Sequence, residues 1–186
     1  PVPGDGTISG LGGTGADRRH PDQSAPGLDA PLRLAAGPPG PQVPGQLPTQ
    51  LYVTVAAPNE DVYQRLMAPK SGNEWRKLKE TLALLPSLPT RTVIRHTLVE
   101  GWNLGWEDEY AALDRVAKPM FIECKGYSFV GESRLRLEAE NVPSHASIRT
   151  FSERLADRVG YRIASEREDS RVVLLTVDGQ LHPLSQ

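Results

Sequence analysis

The sequence predicts an α/β fold, and two features of its 186 residues carry that prediction. From Gln50 onward, short runs rich in β-branched residues alternate with longer segments whose apolar residues recur at helical spacing. That order is the pattern of strands joined by crossover helices. The runs also sort into faces, Ile94, His96 and Leu98 opposing Val93, Arg95, Thr97 and Val99, because successive side chains alternate across a strand. A parallel sheet follows, open or curved into part of a (β/α) barrel.

Element by element, LYVTVAA (51–57) reads as the first strand. Asn59 then caps a helix whose first turn holds Glu60 and Asp61, as the helix dipole favours. Asn73 is placed as the cap of a second helix, with Trp75, Leu78, Leu82 and Leu85 on one face and Pro86 and Pro89 ending it. TVIRHTLV (92–99) is the next strand and GWNLGW a loop. The helix EDEYAALDRVA (107–117) stops before Lys118-Pro119, and MFIECK (120–125) follows as a strand. Ile148, Phe151, Leu155 and Val159 give one face to a helix over roughly 146–159, with Gly160 as its stop. YRIAS (161–165) and RVVLLTV (171–177) close the chain as strands.

The first 48 residues differ in kind. They hold ten Pro and ten Gly and no Phe, Trp or Tyr, so they cannot bury enough apolar surface to offset the entropy of ordering, and the segment is predicted to be disordered. GLGGTG within it is rejected as a phosphate loop, since neither a strand before it nor a Lys-Ser/Thr pair accompanies it. The domain is expected over 49–186.

A net charge of −2 removes any bulk electrostatic case for membrane or DNA. A single cysteine excludes an internal disulfide and a self-contained cysteine-rich metal site, and it fits a reducing cytoplasm. No metal site is expected within the chain. Arg95 and Glu123 fall on sequential strands and are expected to form an ion pair that needs no function. Lys125 closes its strand at the carboxyl end, where α/β folds place their active sites. It could bind an anion, form a Schiff base, or simply be solvated. Cys124 points to the opposite, helix-covered face and reads as an inert apolar residue.

LYVTVAAPNEDVYQRL, SLPTRTVIRHTLVEGWN, KPMFIECKGYSFVGESR and NVPSH, in that order, resemble the carboxyl half of the tRNA 4-demethylwyosine synthases, in their archaeal form. The resemblance spans about residues 48–178. It implies a radical SAM (β/α) barrel, here the carboxyl half with a C-terminal extension. It also implies a lyase-class, wybutosine-pathway tRNA modification: pyruvate carbons condensed with N1-methylguanosine-37 of tRNA-Phe. S-adenosylmethionine and 4Fe–4S clusters are the implied cofactors, tRNA-Phe, pyruvate and an external electron donor the implied partners.

Carried over by position, Thr54, Arg95, Thr97 and Lys125 would line the SAM and substrate side of the barrel, and Ser133, Arg134 and His145 would lie nearer the tRNA. Departures from the family pattern are Ala56 for Asp, His96 for an apolar residue, Glu100 for Lys, Cys124 for Val and Ser144 for Trp. The family's CxxxCxxC motif is absent from the sequence, so the chain is expected to be a fragment, inactive alone and prone to aggregate through its uncovered sheet face. The two alternatives are a cluster-free, aldolase-like enzyme using Lys125 as a Schiff base, and a non-enzymatic tRNA-binding remnant using Arg134 and Arg136.

Overall fold

A computed structural model describes residues 47–183; the segment expected to be disordered lies, but for its last two residues, outside the described residues. The described chain runs β1 (Gln50–Thr54), α1 (Glu60–Met67), α2 (Glu74–Leu84), β2 (Arg91–Leu98), α3 (Glu107–Ala117), β3 (Phe121–Gly126), α4 (His145–Val159), β4 (Arg162–Arg167) and β5 (Val172–Thr176). Short 3₁₀ turns at Leu85–Ser87, Gly131–Leu135 and Ala139–Asn141 punctuate it.

The five strands form one sheet in the order β1-β2-β3-β5-β4. β1, β2 and β3 are parallel. The expectation of a parallel sheet throughout fails at its end, where β5 runs antiparallel to β3 and pairs with β4 as a hairpin. The physical reason is connection length. Only the turn Glu168–Arg171 separates β4 from β5, and a parallel pair needs a crossover of a dozen residues or more. Arg171 closes that turn at φ 49, in the left-handed region.

Helices α2, α3 and α4 cover one sheet face. Leu82 and Leu85, Tyr110 and Ala111, and Ile148, Phe151 and Leu155 pack there against Ile94, Leu98, Ile122, Cys124, Val173 and Leu175. At about 25 cal/mol per Å² of apolar area removed from water, this layer is the main favourable contribution to folding. A second, smaller cluster of Ala57, Val62, Leu66, Val99, Tyr127 and Leu137 lies among the segments that follow the carboxyl ends of the parallel strands. The opposite sheet face carries no helix among these elements, and Tyr52 stands 46% exposed on it.

Caps explain the helix boundaries, with one correction. Asn59 accepts the Val62 amide at 3.0 Å and so caps α1. Asn73 occupies the equivalent position before α2 but makes no capping bond. Glu74 performs a related task by accepting the Ser71 amide at 2.9 Å, while Asn73 Oδ1 accepts the Ser71 hydroxyl. Ser144 caps α4 through the Ser147 amide, and Gly160 ends it at φ 74, which an L side chain rarely adopts. β1 ends at Thr54 rather than Ala57, because the carbonyls of Val55 and Ala56 are taken by the side chains of His96 and Asn103.

Candidate functional site

The parallel register sets the site. On the uncovered face Thr54, Arg95 and Glu123 lie side by side as one row, and Thr97 and Lys125 as the next row toward the carboxyl ends. Arg95 Nε donates to Glu123 Oε1 at 2.8 Å and its guanidinium lies 4.9 Å from the centre of the Tyr52 ring. Glu123 is nearly buried, so its charge needs that partner. Lys125 is half-buried and makes no ion pair among the described residues. Thr54 is exposed and Thr97 half-buried.

Gly126 ends the row for a steric reason. A Cβ there would stand 3.1 Å from Arg171 Cβ and 3.3 Å from Pro143 Cγ, and its amide donates to the Arg171 carbonyl at 2.8 Å. The backbone of β3 is thereby clamped just beyond Lys125.

The rim is held by a residue to which the sequence alone assigns no role. Asn103, fully buried in the GWNLGW loop, donates from Nδ2 to the carbonyls of Ala56 at 2.8 Å and Thr97 at 2.9 Å, and accepts the Val99 amide at 2.6 Å. It stitches the exit of β1 to that of β2. The available signal was an Asn in a loop that leaves a strand end, a position where its amide can replace lost ladder bonds.

Ser133 and Arg134 sit together on the turn after β3. Ser133 Oγ pairs with the Tyr127 hydroxyl at 2.8 Å, and the Arg134 guanidinium lies 5.1 Å over the Phe129 ring. Leu135 and Val130 beside them are 85% and 65% exposed. His145 has different neighbours. Its Nε2 contacts Glu166 Oε2 at 3.1 Å, and Arg149 bonds the other oxygen of that carboxylate, beside the edge strand β4. Among the described residues His145 shares no hydrogen-bond partner with Ser133 or Arg134.

Cys124 lies on the helix-covered face, fully buried. Burial pushes its thiol up to about 12, and the charges of Asp114 and Glu123 act in the same sense. It is therefore a thiol and a poor metal ligand. Among the described residues no group of three or more His, Cys, Asp or Glu could hold a metal ion. A described cavity on the open face, of about 300 Å³, opens at the amino ends of the parallel strands between Arg91, Val93, Phe121 and Leu181. That is the wrong end of an α/β sheet for chemistry.

Comparison with known proteins agrees with the sheet and the motifs on it. Residues 116–177 match the family described as wyosine base formation. An S-adenosyl-L-methionine-dependent tRNA 4-demethylwyosine synthase of Pyrococcus abyssi is 47% identical over 134 residues, covering 72% of this chain and 39% of that protein. This chain is a relative of the tRNA 4-demethylwyosine synthases. The similarity reaches plants, with 40% identity over 130 residues to the Oryza sativa synthase, covering 68% of this chain and 20% of that protein. Two solved structures share the fold. TYW1 with a lysine–pyruvate adduct bound aligns with a TM-score of 0.64 at 32% identity, over 72% of this chain and 44% of that one. The crystal structure of archaeal TYW1 aligns with a TM-score of 0.57 at 28% identity, over 72% of this chain and 41% of that one. The chain thus spans about two fifths of the Pyrococcus protein. No helix among the described residues is long and apolar enough to cross a membrane.

Proposed function

We propose that this chain supplies one sheet face and rim of a cytoplasmic, radical SAM tRNA 4-demethylwyosine synthase, the lyase that condenses pyruvate carbons with N1-methylguanosine-37 of tRNA-Phe. The observation that carries the proposal is the 47% identity to the Pyrococcus abyssi synthase over 134 residues. The half-barrel of the resemblance is part of the same reading. Thr54, Thr97 and Lys125 offer two hydroxyls and an ammonium on one face, a set suited to the ribose and carboxylate of S-adenosylmethionine. Arg95, tied to Glu123, is the fixed cation of that face. Ser133, Arg134 and His145 are assigned to the tRNA side.

The chain does not fit an iron–sulfur cluster, because its one cysteine is a buried thiol on the wrong face. Cluster ligands must come from outside these 186 residues, and the chain alone is not competent. The test is a Pyrococcus synthase in which the matching segment is replaced by this chain, expressed in an archaeal strain lacking its own enzyme. Mass spectrometry of tRNA-Phe nucleosides should show 4-demethylwyosine from the chimera and none from the isolated chain. A folded chimera without product sinks the assignment, and product from the isolated chain sinks the claim of incompetence.

A second reading, a cluster-free aldolase-like enzyme, rests on Lys125 at the carboxyl end of β3, which makes no ion pair among the described residues. Here the Lys125 amine attacks the carbonyl carbon of an aldehyde or ketone substrate, water leaves, and the resulting iminium can be reduced by borohydride to a stable secondary amine. Peptide mass spectrometry after trapping decides it; an unmodified Lys125 removes this reading. A bare tRNA-binding role for Arg134 and Arg136 is less supported, because Glu132, Glu138 and Glu140 stand among them. A flat salt dependence of filter binding would exclude it.

A further inference from the structure

His96 lies on the helix-covered face of β2 with none of its surface exposed, and Asp114 of α3 is 2% exposed. Each ring nitrogen faces an oxygen. Nδ1 is 3.0 Å from the Val55 carbonyl, and Nε2 is 3.1 and 3.0 Å from the two oxygens of Asp114. A carbonyl and a carboxylate can only accept, whereas a neutral imidazole carries a single N–H. One proton on the ring would leave a lone pair aimed at an oxygen in a layer without solvent, a cost with nothing to offset it. Moving the second proton to Asp114 would satisfy the same atoms, but a carboxyl is the weaker base and both its oxygens approach Nε2.

We infer that His96 is carried as an imidazolium in the core and, with Asp114, latches the exit of β1 to helix α3, so that a proton holds the rim segment Val55–Ala57. The latch acts at the strand end that follows Thr54. The Val55 amide donates to the Arg95 carbonyl at 2.8 Å, and Asn103 holds the next carbonyl. Removing the ring proton frees one of the three anchors of this backbone and leaves the rim to Asn103 and the Val55 amide.

The surroundings leave Asp114 as the charge that decides. From α3 the Tyr110 ring packs 4.5 Å from the imidazole centroid. From β3 the residue opposite is Cys124, a thiol held un-ionised by burial. Glu123 is on the far face with Arg95, α4 contributes Phe151 and Ser152 to this layer, and α2 and the turn after it contribute Leu82 and Leu85. Burial opposes the imidazolium most strongly, yet the charge and hydrogen bond of Asp114 and the bond to Val55 together hold the ring above its ordinary range. The inference does not depend on the proposed enzymatic role.

The test is ¹⁵N NMR of the full chain labelled at histidine, in solution or as a sedimented solid, from pH 5 to 10. His96 is assigned by the signals missing from His96→Gln. The expected result at pH 8 is two protonated ring nitrogens on His96 and a charged Asp114 carboxylate. At higher pH one N–H disappears, and protection of the Val55 amide, corrected for base catalysis, falls by up to about tenfold per pH unit through that titration. A single N–H at pH 7, from a neutral tautomer or a neutral pair with protonated Asp114, overturns the inference. So does Val55 protection that ignores the titration. Asp114→Asn should leave His96 neutral at pH 7; if that variant does not fold, the spectrum of the unaltered chain still decides.

Discussion

Arg95 and Glu123 stand opposite each other on neighbouring parallel strands, and their side chains close a hydrogen bond of 2.8 Å on the uncovered face of the sheet. The pair is unequal. Glu123 keeps 11% of its side-chain surface and Arg95 38%, so the carboxylate is the member that cannot do without its partner. Arg95→Met should therefore cost more than Glu123→Gln, by about 1–2 kcal/mol, since it strands a buried charge whereas the amide keeps a neutral acceptor. Urea unfolding of the two variants checks the order; equal costs would show that the pair is screened as a surface pair is.

The His96–Asp114 pair makes stability depend on pH in a definite direction. The folded-state value of His96 is raised above its unfolded value near 6.5. Its contribution is complete below about pH 6.5 and is lost as pH rises through the folded value. Chemical denaturation midpoints should fall on the alkaline side and not between pH 5 and 6.5 on this account. Asp114→Leu alone should cost about 3–5 kcal/mol, while His96→Leu with Asp114→Leu should recover most of that loss. A double variant no better than the single one would contradict the pairing.

Asn103→Ala removes three hydrogen bonds from the rim and leaves the Ala56 and Thr97 carbonyls and the Val99 amide without their partner. The expected loss is about 3 kcal/mol, from the usual cost of unsatisfied buried groups. Hydrogen exchange should locate the damage at residues 55–57 and 97–99 before it reaches the helices. Uniform loss of protection would show that Asn103 serves the whole fold and not the rim.

Gly126→Ala should destabilise by about 1–3 kcal/mol, the range for an added methyl group in a packed place, because the new Cβ meets Arg171 and Pro143 at 3.1 and 3.3 Å. Arg171→Ala with Gly126→Ala should relieve part of it. Thermal unfolding of the single and double variants measures the coupling, and additive effects would count against the contact.

Cys124 should resist alkylation. Full burial and a thiol pushed up to about 12 leave almost no thiolate at pH 8. Iodoacetamide should label the native chain at least about 100-fold more slowly than the chain in denaturant, given that the thiolate is the reacting form. Comparable rates would mean that the core opens readily at β3.

The alternation of side chains along 92–99 and 120–125 was enough to place Arg95, Glu123 and Lys125 on one face and Cys124 on the other, because a strand has a fixed period of two. Apolar spacing and caps likewise made the four described α-helices legible, although Asn73 does not cap α2, and four short blocks of sequence carried the family. Apart from Arg95 and Glu123, partners distant in sequence were not legible. Asp114 reads as one acid on a solvated helix until α3 is laid over β2, and Asn103 reads as a loop residue until β1 and β2 end side by side. The antiparallel course of β5 was hidden for a similar reason, since a strand's direction is a property of its neighbours.

The sequence by itself therefore determined the α/β class, the order and type of the main elements, the faces of the strands and the kinship with the 4-demethylwyosine synthases, all of which are local in the chain. Only the tertiary structure decided what those residues touch: that the last hairpin turns the sheet antiparallel, that His145 joins Glu166 and not Ser133, and that His96 finds two acceptors in the core. Periodicity and capping act within a few residues, whereas register, burial and charge pairing bring together groups tens of residues apart.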